Sequence, residues 1–194
     1  MKPALWLGLV ALLAALALGI VAQVAEPRIA RLQRAAELER LRVALPPALE
    51  FDNDPIADVD TQIVELAPGI SLRETYPARK GRRLIARVFK VRTQAGYSGA
   101  IDLLMGVRAN GEVINVRVLA HRETPGLGDP IEESKSDWIT RFTGRSLSNP
   151  DAERWAVSKD GGAFDAFSGA TITPRAVVEA LKATLEFAAR TQPT

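Results

Sequence analysis

The sequence predicts an α+β protein: an N-terminal transmembrane helix, then a single domain with a curved antiparallel sheet flanked by helices. Three observations carry that expectation: an uncharged run from Pro3 to Ala25, three adjacent strand-like runs in mid-chain, and an apolar stripe at helical spacing near the C-terminus. They divide the chain into an anchor over 1–25, a connecting helix over 26–49 and a domain over 50–194.

The first run is mostly Ala, Leu, Val, Ile and Gly. As a helix it is about 34 Å long at 1.5 Å per residue, enough to cross a hydrocarbon core of roughly 30 Å. Lys2 and the small residues of "AQVAEP" are also features of a cleaved signal peptide, but signal cores run to about 7–15 residues, so the length favours a retained anchor. Arg28, Arg31 and Arg34 follow the run with only Glu26 to offset them. The basic-residue count by itself therefore does not place the following domain outside the cell.

After Pro27, which suggests a bend, Leu32, Ala35, Leu38, Leu41 and Leu45 recur at helical intervals, and Pro46 and Pro47 end the pattern. The acidic stretch from Glu50 to Asp60 reads as a solvated loop, because its aspartates lack the spacing of a calcium hand. "TQIVEL" adds a short strand, while "APGISLRETYPARKGRR" holds too many turn residues and charges to assign. "LIARVFKVRT", "GAIDLLMGVRA" and "EVINVRVLAH" are strands, the second alternating Ile101, Leu103, Met105 and Val107 on one face. Asn110-Gly111 between the last two predicts a type I′ hairpin, since both residues tolerate positive φ. Tyr97, beside Gly96, either covers the sheet edge or lines a planar ligand.

The loop "HRETPGLGDP" follows. Gly126 and Gly128 permit close backbone approach there, Leu127 can seal it against an apolar surface, and Glu123 either caps a backbone N–H or binds a ligand hydroxyl. His121 lacks a second histidine to build a common zinc site, and no metal centre is expected. "IEESKSDWITRF" predicts a short amphipathic helix turning Ile131, Trp138, Ile139 and Phe142 inward. Trp155 opens a strand leading to the turn in "WAVSKDGG". Trp138, Trp155, Phe164 and Phe167 are first of all core candidates. The last helix is expected after "SGATIT", with Thr173 as N-cap and Pro174 as its first residue, and Val177, Val178, Leu181 and Leu185 facing the sheet.

Composition excludes several roles. Lys and Arg number 25 against 23 Asp and Glu, so the concentrated positive field that nucleic acid demands is missing. With no cysteine, neither a disulfide framework nor a thiolate metal site exists. The dense glycines, small residues and hydroxyls of "DAFSGATITP" stand at a positive helix end, a favourable place for phosphate. The same composition also suits an elaborate helix cap.

"DAFSGAT" matches a flavinylation motif, an Asp followed after two positions by Ser-Gly-Ala-Thr. Together with "HRETPGLG", "WAVSKDGG" and the N-terminal span, the chain resembles the RnfG (RsxG) family of Rnf electron-transport complexes over nearly its whole length. The resemblance implies an extracytoplasmic FMN-binding domain on the periplasmic side of a bacterial inner membrane, held by a single-pass helix among lipid and the other Rnf subunits. It implies FMN joined through its phosphate to Thr171 by a flavin transferase that recognises Asp165, Ser168, Gly169, Ala170 and Thr171. Thr173 and Ser168 are the competing hydroxyls. The same resemblance places the loop of Glu123, Thr124, Gly126, Leu127 and Gly128 against the ribityl chain or ring, with Lys159 and the amides near Thr173 facing the phosphate. Such a protein relays electrons inside an ion-translocating ferredoxin/NAD complex and carries no catalytic residue of its own. Two alternatives stand beside it: the C-type flavin subunit of a sodium-translocating NADH:quinone reductase, and a non-redox assembly or anchoring subunit.

Overall fold

The structure is a computed structural model that describes residues 2–45 and 48–192. Pro46 and Pro47, expected to end the connecting helix, lie outside the described residues. The chain divides into two compact units at Arg40 and Leu41.

Helix α1 (Lys2–Ala44) runs through Pro27 without interruption, so the expected anchor and connecting helix belong to one helical element. Proline removes one N–H and costs roughly 3 kcal/mol in a helix interior. The alanine- and leucine-rich turns on either side supply enough propensity to carry the helix through. The helix is long and apolar enough to cross a membrane, and its apolar stretch is 0% buried. The anticipated leucine face of 26–49 is realised only at its end. Leu32 is 72% exposed, whereas Leu41, Ala44, Leu45 and Leu49 are buried against the sheet.

The second unit is a five-stranded antiparallel meander, β1 (Val64–Ala67), β2 (Ile70–Lys80), β3 (Arg83–Gly96), β4 (Gly99–Arg108) and β5 (Val113–Ala120), in that spatial order. Strand β2, unassigned from the sequence, forms because Leu72, Tyr76 and Ala78 find covered faces of the sheet while Arg73, Glu74 and Arg79 remain at its polar positions. Register shifts after Leu72 and Ala78 bend it, as bulges do. The β4–β5 turn differs from a type I′ hairpin. Gly111 alone has positive φ, +86°, and its N–H bonds the Arg108 carbonyl at 2.9 Å. This is the pattern of a type I turn followed by a left-handed glycine, with Asn110 instead accepting the Glu112 N–H at 3.1 Å.

The two sheet faces bury different sets. Phe89, Val91, Ile101, Leu103, Met105 and Val107 meet α2 (Ile172–Arg190) through Val177, Val178, Leu181 and Leu185. Val88, Leu104, Tyr76 and Ile114 meet the Leu41–Leu49 segment on the opposite face. Alternation along each strand fixes both sets at once. Gly106 lets this segment approach, since a Cβ there would lie 2.3 Å from the Ala44 carbonyl oxygen.

Between β5 and α2 the chain makes short 3-10 turns in place of the expected helix and strand, over Asp129–Ile131, Trp138–Phe142, Ala152–Arg154 and Ser158–Asp160. The inward residues are nonetheless those anticipated. Ile131, Trp138, Ile139 and Phe142 are all buried. Trp138, Phe142, Trp155 and Phe164 form one aromatic cluster, with ring centroids 4.6–6.0 Å apart. Packing these bulky rings holds the segment without a regular hydrogen-bond ladder.

Candidate functional site

Three chain segments meet at the N-terminal end of α2: the β3–β4 turn, the loop after β5, and the "SGATIT" run. They enclose a cavity of about 230 Å³ lined by Tyr97, Glu123, Thr124, Leu127, Gly128, Gly169, Ala170, Thr171, Ile172 and Thr173. Glu123 is the knot between them. It is 5% exposed, and its carboxylate accepts the Ser98 N–H at 3.1 Å and the hydroxyl proton of Thr173, itself 1% exposed. Of the two roles open to Glu123, capping a backbone N–H is therefore realised. Gly128 is needed because a Cβ would lie 2.8 Å from Glu123 Oε2 and 2.9 Å from Thr173 Oγ1.

The bonding of Thr173 overturns its expected place as N-cap. Helix α2 begins at Ile172, with Thr171 at the cap position and Pro174 third in the helix. The Thr173 hydroxyl points to Glu123 and is unavailable to fold back on the helix end. Proline is still tolerated because the first turn has no intrahelical use for its missing N–H. Thr171 makes no side-chain cap either. Its Oγ1 instead accepts a hydrogen bond from Lys159 Nζ at 2.8 Å.

The three motif hydroxyls thus differ in surroundings. Thr173 is buried and its proton is committed. Ser168 is exposed and does not line the cavity. Thr171 lines the cavity, and its oxygen accepts from the Lys159 ammonium. Gly169, φ +79°, turns the chain just before it, closed by the Ala170 N–H on the Phe167 carbonyl at 3.2 Å.

Asp165 and Gly126 are not brought to the cavity. Asp165 lines a separate, larger cleft of about 500 Å³ with Arg141, Arg145 and Arg154. There its carboxylate takes an Arg141 N–H at 2.8 Å, and its carbonyl takes the Trp138 indole N–H at the same distance. Although larger, that cleft gathers one residue of the motif where the smaller one gathers most. Gly126 donates to Asp129 Oδ1 at 2.6 Å and shapes the loop from outside. His121 serves the same loop. Its Nδ1 accepts the Glu123 N–H at 3.0 Å, which places the proton on Nε2, 2.8 Å from Glu132. That hydrogen bond holds the Glu132 carboxyl below its ordinary value.

Sequence reasoning did not assign Ile172, Asp160 or Arg175 to the site. Arg175 grips Asp160 with two parallel hydrogen bonds of 2.6 and 2.8 Å. An alternation of charges twelve or more residues apart carries no periodic signal, so only the folded chain pairs them. Tyr97 stands in the cavity wall from the β3–β4 turn.

The donor set suits a phosphate-bearing planar ligand. Lys159 and the open helix end supply positive potential beside Thr171. Tyr97, Leu127 and Ile172 offer apolar surface at the mouth, 70%, 49% and 45% exposed. The volume is below the roughly 300–1,000 Å³ of pockets that enclose a small molecule, so a ligand held here stays partly in the open.

Comparison with known proteins agrees with this chemistry. The FMN-binding domain family matches residues 96–186, a stretch that includes every cavity residue. A relative from Stutzerimonas stutzeri, named as the G-type subunit of an ion-translocating oxidoreductase complex, is 47% identical over 96% of this chain and 80% of its own. One of the same name from Pseudomonas aeruginosa is 46% identical over 96% and 87%. Among solved structures, NqrC of Shewanella oneidensis is 21% identical over 77% of this chain and 73% of its own, with a TM-score of 0.46. At such identity over almost its full length, the protein belongs to the RnfG family, the G-type subunits of ion-translocating oxidoreductase complexes, and its sheet domain is an FMN-binding domain.

Proposed function

We propose that this chain is the flavin-carrying electron relay of a bacterial inner-membrane complex, with FMN attached through its phosphate to the Thr171 oxygen. The observation that carries the attachment is the contrast among hydroxyls: Thr173 is spent on Glu123, whereas Thr171 faces the cavity beside Lys159. Lys159 and the Ile172 and Thr173 amides hold the phosphate charge. Gly169 and Ala170 leave it room. Thr124, Leu127, Gly128 and Tyr97 bound the ribityl chain and one side of the ring. FMN, when bound, takes up and releases electrons. The protein sets its position and polarity and leaves one side open to a neighbouring subunit.

In this reading α1 is the single-pass anchor in lipid and the domain faces the periplasm. Long translocated domains are carried across largely regardless of local charge, which reconciles Arg28, Arg31 and Arg34 with that side. The partners are the other subunits of the complex and, during maturation, a flavin transferase. Relatives at 46–47% identity named as G-type subunits favour this over the C-type quinone-reductase alternative.

The test is to express the full chain with the transferase and map the flavin by peptide mass spectrometry. FMN on the peptide at Thr171, lost in Thr171→Ala, is expected. A colourless, unmodified chain, or FMN on another hydroxyl, overturns the assignment. Selective loss of the flavin with electron transfer intact would favour an anchoring role instead.

A further inference from the structure

Lys159 is an exposed lysine whose next neighbour in sequence is an aspartate, yet the two do not pair. Asp160 gives both carboxylate oxygens to Arg175, and Lys159 donates to an uncharged hydroxyl, Thr171 Oγ1. Among the described residues no carboxylate lies in ion-pair range of Lys159. An exposed lysine holding a neutral oxygen gives up side-chain entropy worth roughly 1.5–2 kcal/mol, so the contact depends on how firmly the backbone at each end is placed.

Those surroundings are built with some strictness. The 3-10 turn Ser158–Asp160 is closed at its end by Gly161 at φ +82°. Gly162 follows so close to the preceding chain that a Cβ would lie 1.8 Å from the Ala156 carbonyl oxygen. The Gly162 N–H returns to the Val157 carbonyl at 3.0 Å, and the Ser158 N–H takes the Phe164 carbonyl at 2.7 Å. Val157 and Phe164 root the turn in the core. The Asp160–Arg175 pair then ties it to the first turn of α2, where the Arg175 N–H bonds the Thr171 carbonyl at 3.1 Å. Turn and helix are thus stapled one residue away from Lys159 on one side and one helical turn from Thr171 on the other.

We propose that Lys159 activates the Thr171 hydroxyl for flavin attachment, and that Asp160 and Arg175 are positioning residues that keep its ammonium on that oxygen. This rests on the Thr171 attachment proposed above. The co-substrate is a flavin dinucleotide. Thr171 Oγ forms a bond to the phosphorus on the riboflavin side, the pyrophosphate P–O bond breaks, AMP leaves, and the hydroxyl proton passes to a base of the transferase. An ammonium has donors and no acceptor, so Lys159 is not that base. It stabilises the negative charge that grows on Oγ as the proton departs. It then remains as counter-ion to the phosphodiester monoanion, and the cation that had no carboxylate acquires an anion.

The experiment measures initial rates of flavin attachment to the full chain in detergent, with purified flavin transferase, FAD and Mg²⁺, read by in-gel flavin fluorescence and intact mass. Lys159→Met is expected to slow attachment roughly tenfold, less than the 10²–10³ lost with a buried oxyanion donor because Lys159 is exposed. The effect should fall on kcat more than on KM for the acceptor chain. Lys159→Arg restores the rate to within about threefold of the parent. Asp160→Arg and Arg175→Asp each lower kcat for attachment, with the melting temperature followed in parallel so that a loss of stability is told apart from a loss of positioning. The double charge swap recovers the rate because the two act as a pair. A Lys159→Met chain modified within twofold of the parent rate overturns the proposal, as does a charge swap slower than both single variants. Thr171→Ala is run beside them. Covalent flavin persisting on that variant sinks the attachment reading itself, whereas its loss together with a normal Lys159→Met rate sinks only the role of Lys159.

Discussion

Replacing Glu123 by alanine removes the acceptor of both the Thr173 hydroxyl and the Ser98 amide. Thr173 is 1% exposed, so its orphaned proton is left at a largely buried site. A buried donor left without an acceptor costs about 1–3 kcal/mol, and the part-buried Ser98 amide stands at the low end of that range. Removing a buried carboxylate returns some of its own desolvation, which leaves a net loss of about 2–3 kcal/mol. For a unit of this size that corresponds to a fall in Tm of about 4–12 °C. Thermal unfolding of the detergent-solubilised chain, followed by tryptophan fluorescence, reads it directly, since Trp138 and Trp155 are 4% and 2% exposed. Thr173→Val in the Glu123→Ala background should cost less than the sum of the single changes by about 1 kcal/mol, because the donor and acceptor disappear together. A Glu123→Ala chain that melts within about 2 °C of the parent would refute the idea that this carboxylate ties the cleft together.

Three further outcomes follow from named contacts. Gly162→Ala forces its Cβ against the Ala156 carbonyl and should lower flavin attachment along with stability, measured by fluorescence in gel and by melting. Leu181→Ala empties a position 1% exposed between α2 and the sheet and should cost about 2–5 kcal/mol in denaturant unfolding. Asp160 is held below its ordinary value by its hydrogen bonds from Arg175. A depressed carboxylate contributes stability above its unfolded value near 3.9, lost as pH falls through the lower folded value. The gap in melting temperature between parent and Asp160→Asn should therefore close as pH drops below about 4.

Much of this protein was legible from local pattern. Ile101, Leu103, Met105 and Val107 alternate because a strand has a period of two, and all four lie on the α2 face. Val177, Val178, Leu181 and Leu185 repeat as a helical stripe and complete that core. Ile131, Trp138, Ile139 and Phe142 were readable as inward residues even though the element holding them is a pair of 3-10 turns and not a helix. Strand β2 was hidden because its charges occupy the polar positions of a sheet whose neighbours were unknown. A flavin motif in a loop is visible because its residue types and order are local.

The sequence by itself determined the apolar anchor run, the strand and helix stripes, and the set of hydroxyls on which a phosphate could be placed, since each depends on residues near one another in the chain. Only the tertiary structure decided how those hydroxyls are engaged. Thr171 and Thr173 are two residues apart and alike in chemistry, but Glu123 reaches one across fifty positions and Lys159 reaches the other across twelve. Pairings of that kind arise from the packing of loop, turn and helix end, and no spacing along the chain encodes them.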